Sequence, residues 1–189
     1  MEWLLETDYS LLLFVNSLHS PFLDWLMMTL SAPYPWIPLY IALAGFIVYK
    51  YGYRGSNYKY AFSVIFAAIL VFAITDMGSS AIKDYFMRPR PGHDPALEGM
   101  LRLLDGKGGR FGFISSHASN VFGLATITTL LFRKRWYGIS IFTWATAVSY
   151  SRIYLGRHFP SDVICGALFG IITGYVIFKF LQSIKSLKS

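Results

Sequence analysis

The sequence predicts an all-α fold: a polytopic membrane helix bundle of about five transmembrane helices, preceded by N-terminal interfacial helices. Three observations predict it. Hydrophobic residues make up 54% of the 189 positions and charged residues only 14%, against roughly 25% charge in a soluble domain. Apolar runs long enough to cross a bilayer recur along the chain. The short connections between them carry clustered Lys and Arg at alternate positions, the pattern of the positive-inside rule. The length suits one domain over residues 1–189.

The first segment, residues 1–33, is apolar over Leu11 to Leu18 and Phe22 to Leu30, but Ser20-Pro21 and Asp24 interrupt it. It reads as an amphipathic helix or helical hairpin on the membrane surface, with a sixth span as the rival. Met1 to Ser10 holds acids but no Lys or Arg, so it lacks the basic n-region of a cleavable signal peptide. Pro35 to Tyr51 is the first span, with Trp36 as an interfacial anchor. Ala61 to Lys83, Ser116 to Phe132, Trp136 to Ser151 and Pro160 to Phe180 follow. With five alternating spans, Lys50, Arg54 and Lys59 share one side with Arg133 to Arg135 and with the tail lysines Lys179, Lys185 and Lys188. That side is expected to be cytoplasmic, in a bacterial inner membrane. The single Cys165 excludes an intrachain disulfide.

The long connection, residues 85–115, then lies on the extracytoplasmic face. It nevertheless carries Arg88, Arg90, Arg102, Lys107 and Arg110, with Lys83, Arg152 and Arg157 facing the same side. Cations that break the topology rule call for a local reason, and an anionic ligand supplies one. The net charge of +7 is read the same way, as serving membranes and anionic substrates, with no nucleic-acid partner. Arg102, Lys107 and Arg110 read as a solvated loop, and His93 and Arg157 as structural.

Three short stretches converge on that face: Lys83 to Pro91, Ile114 to His117, and Ser151-Arg152 with His158 and Asp162. Lys83, Arg90 and Arg152 offer three fixed cations, and arginine forks match phosphate oxygens. Ser115 and Ser116 stand where a helix begins, so free backbone N–H groups and a hydroxyl point outward. Pro160 suits the first turn of the last helix. Asp162 then lies in that turn and reaches back toward His158, four residues earlier. A carboxylate on one imidazole nitrogen fixes the tautomer and leaves the other as a nucleophile. His117 is a second histidine, suited to protonating a leaving oxygen. Together these are the parts of phosphoryl transfer through a covalent intermediate.

The pattern K-x6-R-P, then Ser-x-His, then S-R-x5-H-x3-D resembles the signature of the type-2 phosphatidic acid phosphatase superfamily. Lys83, Arg90 and Pro91 fit the first motif, and Ser151, Arg152, His158 and Asp162 the third. The middle motif departs from the usual P-S-G-H, with Ile114 for proline and Ser116 for glycine. The resemblance implies that His158 attacks phosphorus, Asp162 orients it and His117 protonates the departing group. Lys83, Arg90, Ser115, Ser116 and Arg152 would hold the phosphoryl oxygens. It implies no metal and no cofactor. The expected partners are the bilayer and a lipid carrying a phosphate or diphosphate. Undecaprenyl diphosphate is the first expectation for that lipid; lipid A phosphate, phosphatidylglycerol phosphate and phosphatidic acid are the alternatives, and a lipid phosphotransferase is the rival activity. Asp76, within the second span, is expected to hold a structural partner, with Tyr85 and Tyr154 as interfacial aromatics.

Overall fold

The computed structural model describes residues 2–186; Met1 and residues 187–189, Lys188 of the basic tail among them, lie outside the described residues. Among these residues the structure is all-helical, apart from one isolated bridge between Pro89 and Phe111. The helices are α1 (Glu2–Ser17), α2 (Pro21–Ser31), α3 (Ile37–Ile47), α4 (Tyr58–Phe86), α5 (Ser116–Phe132), α6 (Arg135–Tyr154) and α7 (Pro160–Ser186). A π-helical turn, Val48–Tyr53, extends α3.

Local signals set the helix ends. Ser20 caps α2 by accepting from the Leu23 N–H, with Pro21 at the first helical position. The dipeptide that interrupts the apolar run is thus a start signal. Asn57 caps α4 in the same way, accepting from the Tyr60 N–H. α1 and α2 are apolar enough together to qualify as a span, but they bend by 118° at their junction. The chain folds back there rather than continuing straight.

On their own, Tyr58–Phe86 and Pro160–Ser183 are long and apolar enough to cross a bilayer. α5 has only 17 residues and is rich in Ser and Thr, because it is the central helix. Its Ser119, Thr126 and Thr128 hydroxyls donate to carbonyls one turn earlier, so they are satisfied without water.

α7 packs against α5 with almost nothing between the backbones. Gly166, Gly170 and Gly174 recur every fourth residue on the contacting face. A Cβ at Gly166 would lie 2.5 Å from the Ser115 carbonyl oxygen, and one at Gly174 would lie 2.7 Å from that of Gly123. A Cβ at Gly170 would overlap the Ser119 carbonyl oxygen. This is the small-residue spacing that lets membrane helices approach closely. The result places the start of α5 directly beside the start of α7, with the Ser115 N–H donating to the Asp162 carbonyl at 3.0 Å. At the opposite end Lys50, Arg54 and Lys134 line one cleft, and an apolar core of Leu43, Ile47, Val64, Ile127, Leu131 and Phe178 fills the space between.

Candidate active site

The ends of four helices build the site. Lys83 sits in the last turn of α4, and Met87 terminates it in the left-handed conformation, φ 46°. The chain then runs back extended. The Arg90 N–H donates to the Arg110 carbonyl at 2.9 Å, and the Gly112 N–H donates to that of Arg88 at 2.9 Å. Arg90 Nε donates to the Phe111 carbonyl at 3.0 Å. The 85–115 connection is therefore pinned across the site.

At the start of α5, Ser115 is the N-cap, its side chain accepting from the Ala118 N–H. Ser116 follows within the first turn and receives a hydrogen bond from Lys83 Nζ; Ser79 Oγ donates to it at 2.7 Å.

Past Arg152, near the end of α6, the chain turns tightly. The Arg157 and His158 N–H groups both donate to the Arg152 carbonyl, at 2.9 and 3.3 Å. Gly156 adopts φ +66° in that turn, with Leu103 and Asn16 close by, a conformation that favours glycine. Asp162 in the first turn of α7 accepts the Phe159 N–H at 3.0 Å, the acidic half of a capping box. The same oxygen lies 3.5 Å from His158 Nδ1. That separation is within ion-pair range but longer than a hydrogen bond, a looseness common in catalytic groups before substrate arrives.

Burial makes these groups reactive toward an anion. His158 and Asp162 are 1% and 0% exposed, and Arg152 is 5% exposed. Burial holds the His158 imidazole well below its ordinary pKa, and Arg90, Arg152 and Lys83 push it the same way. Both effects favour the neutral imidazole. The Arg90 guanidinium is likewise pushed down, first by burial and then by Arg157, with Asp162 opposing. Arg152 Nε and His158 Nδ1 are buried without a hydrogen-bond partner, Nδ1 facing the Asp162 carboxylate. His117 lies close enough to Arg152, His158 and the Ser31 backbone to interact with all three.

All eight candidates, Lys83, Arg90, Ser115, Ser116, His117, Arg152, His158 and Asp162, thus gather at one end of the bundle. They differ in availability. The hydroxyl and N–H of Ser115 are both engaged and the residue is fully buried, so it locks α5 to α7, while Ser116 faces Lys83. Arg157, read as structural, pairs with Asp105 at 2.6 Å and lies near Arg90 and Arg152. Arg102 is paired with Asp24 at 2.8 Å rather than simply solvated. Tyr154 is not an interfacial aromatic. It is 2% exposed and donates to Asp24 at 2.5 Å, because α2 covers it. Tyr85 is exposed. Asp76 accepts from Asn120 on α5 at 3.3 Å, a neighbouring-helix partner, and His93 Nε2 lies 3.1 Å from the Gly108 carbonyl.

Sequence reasoning missed the side chains that the N-terminal hairpin brings in. Asp8 pairs with Arg88 at 2.8 Å, and Asn16 donates to the Arg102 and Tyr154 carbonyls. Ser31 receives a bond from Arg152. The signal available was Asp8 and Asp24 themselves, acids in an otherwise apolar stretch. Among the described residues no group of three or more His, Cys, Asp or Glu could hold a metal ion.

Comparison with known proteins gives a consistent picture. Residues 58–185 match the family model of the PAP2 superfamily. The chain is 35% identical over 181 residues to a lipid A 4'-phosphatase of Bacteroides thetaiotaomicron, covering 94% of this chain and 78% of that protein. The corresponding protein of Porphyromonas gingivalis is 36% identical, with 95% and 75% covered. The crystal structure of Aquifex aeolicus LpxE superposes with a TM-score of 0.67 at 29% identity, covering 90% of this chain and 94% of that one. An undecaprenyl-diphosphatase of Bacillus subtilis matches over only 68 residues, 36% of this chain.

Proposed function

The chain belongs to the PAP2 superfamily and is an integral-membrane lipid phosphatase, and from that premise we propose that it removes the 4'-phosphate of lipid A through a phosphohistidine. The lipid A 4'-phosphatases match nearly the whole chain, whereas undecaprenyl diphosphatases match about a third of it. The expectation of undecaprenyl diphosphate therefore gives way to what was its alternative.

The observation that carries the mechanism is the buried His158 beside Asp162, with Lys83, Arg90 and Arg152 near enough to act on it. Those cations and the Ser116 end of α5 hold the phosphoryl oxygens and stabilise the charge of the transition state. His158 Nε2 forms a bond to phosphorus as the bond to the sugar oxygen breaks, and His117 gives that oxygen its proton. Water then attacks phosphorus, His117 takes the proton back, and the N–P bond breaks to release phosphate. Asp162 stabilises the imidazole in the required tautomer. Five spans (α3 with its π-helical turn, then α4 to α7) put this site on the extracytoplasmic face of the cytoplasmic membrane. The α1–α2 hairpin lies at the interface, and the single domain includes the 85–115 connection on that same outer side.

Purified protein in detergent, offered lipid A and undecaprenyl diphosphate separately, tests the substrate. The expected result is phosphate release from lipid A, with mass spectrometry showing a product that keeps its 1-phosphate. Release only from undecaprenyl diphosphate, or loss of the 1-phosphate alone, overturns this reading.

A further inference from the structure

Asp162 is a buried carboxylate that must stay ionised and stay put, and one backbone N–H is not enough to hold it. Its second oxygen accepts from Arg88 Nη1 at 2.7 Å. Arg88 is in turn held from three sides. Its Nη2 donates to Asp8 on α1 at 2.8 Å, its Nη1 also donates to Ser161 Oγ at 2.7 Å, and its guanidinium lies 4.2 Å over the Phe159 ring. Asp8 closes the circuit. It accepts from the Ser161 N–H at 2.9 Å and from the Ser161 hydroxyl, and it is only 7% exposed. Charges of alternating sign therefore run inward from the N-terminal helix, Asp8, Arg88 and Asp162, and end beside the His158 imidazole.

We propose that Asp8 and Arg88 are positioning residues for the phosphoryl-transfer centre, acting on His158 only through Asp162. Arg88 falls at one of the unspecified positions of K-x6-R-P, and Asp8 lies outside the 58–185 family match. The inference rests on the reading of His158 as nucleophile. Without Arg88, the fully buried Asp162 keeps one backbone N–H donor and no hydrogen-bonded cation. The carboxyl then turns or takes up a proton and no longer faces His158 Nδ1 as an anion, so the imidazole no longer keeps a single tautomer. Without Asp8, Arg88 loses its counter-charge and a fixed acceptor. Its side chain is 22% exposed, so it is free to turn toward solvent and leave Asp162. Arg88 does not serve as a further phosphate ligand, because both of its terminal nitrogens are already bonded to carboxylates.

The test compares Arg88→Met, Arg88→Lys, Asp8→Asn and the Asp8→Asn/Arg88→Met double variant with the parent protein. It uses steady-state kinetics on the lipid that the parent hydrolyses, together with ¹⁵N NMR of the His158 ring in detergent. Arg88→Met is expected to lower kcat about 100-fold with KM changed less than threefold, since the phosphate ligands are intact. Arg88→Lys should restore part of kcat. The double variant should be no slower than Arg88→Met alone, because the two residues act in series. The His158 spectrum should pass from one tautomer in the parent to a mixture in Arg88→Met. A KM rise with kcat preserved would make Arg88 a substrate ligand, and additive losses would break the series; either overturns the proposal. If Arg88→Met does not fold, Arg88→Lys and Asp8→Asn decide: parent-like kcat in both overturns it. The NMR arm needs no substrate, so an unchanged tautomer in the variants refutes the positioning role even if the lipid assignment itself fails.

Discussion

On the proposed mechanism His158 must be neutral to attack phosphorus, and its surroundings favour that form twice over. Burial disfavours the imidazolium, and so do the neighbouring cations Arg90, Arg152 and Lys83. The consequence is visible in stability as well as rate. The unfolded chain takes up a proton on His158 below about pH 6.5, its ordinary value, while the folded chain does not. The sign follows: the folded state bears no penalty from this group above that pH. It loses stability as the pH falls from there toward the depressed folded value, by up to about 1.4 kcal/mol per pH unit. Thermal unfolding of His158→Gln in detergent should therefore show a shallower loss of midpoint than the parent between pH 6.5 and 5; parallel curves would count against a neutral buried imidazole. His158→Ala should reduce kcat at least ~1000-fold. His117→Ala should cost about 100-fold or more on a lipid substrate but much less on p-nitrophenyl phosphate, whose leaving group needs no proton. Equal losses on both substrates would remove His117 from the role of acid.

The helices converge on the site because α7 can lie almost in contact with α5. Gly166, Gly170 and Gly174 have no Cβ to hold them apart, and this contact sets where Asp162 stands relative to Ser115 and Ser116. At Gly170 the obstacle to a methyl group is the Ser119 backbone, which cannot swing aside as a side chain would. Gly170→Ala should lower stability by about 1–3 kcal/mol and reduce kcat as well, since the two helix starts would separate. Gly45→Ala on α3 is the control: nothing lies within 4 Å of its would-be Cβ, and the change should be neutral or stabilising. Chemical denaturation of both proteins in detergent measures the difference. A Gly170 variant as stable as the Gly45 variant would show that the close approach is not required.

At the scale of the whole molecule, charge is sorted to opposite ends. Lys50, Arg54 and Lys134 gather at one end, and Lys83, Arg90 and Arg152 around His158 at the other. If the first group is held in the cytoplasm, the 85–115 connection faces outward. In a Cys165→Ser background, a cysteine at exposed Glu98 should react with a membrane-impermeant thiol reagent in intact cells. One at exposed Lys134, with Arg133 and Arg135 retained, should react only after the cells are broken. Labelling at position 134 in intact cells would invert the topology and place the site on the cytoplasmic leaflet.

The sequence by itself determined the fold class, the polarity of the bundle's two ends and the eight candidate site residues. Those properties are local: hydropathy, charge and motif spacing are carried by neighbouring residues, and a helix converts spacing into a face. The tertiary structure decided what surrounds the motifs. Asp8 meets Arg88 across 80 residues and Ser161 across 153, and Asp24 meets Tyr154 across 130. Such contacts repeat nowhere along the chain, so they leave no periodic trace to read. Tyr154 was legible only as an aromatic near an interface, because the covering helix that buries it lies at the far end of the sequence. The same folding-back of α1 and α2 decided that Asp162 is held by an ion-paired arginine as well as by its own helix, since only packing could bring a carboxylate of the first helix to the start of the last.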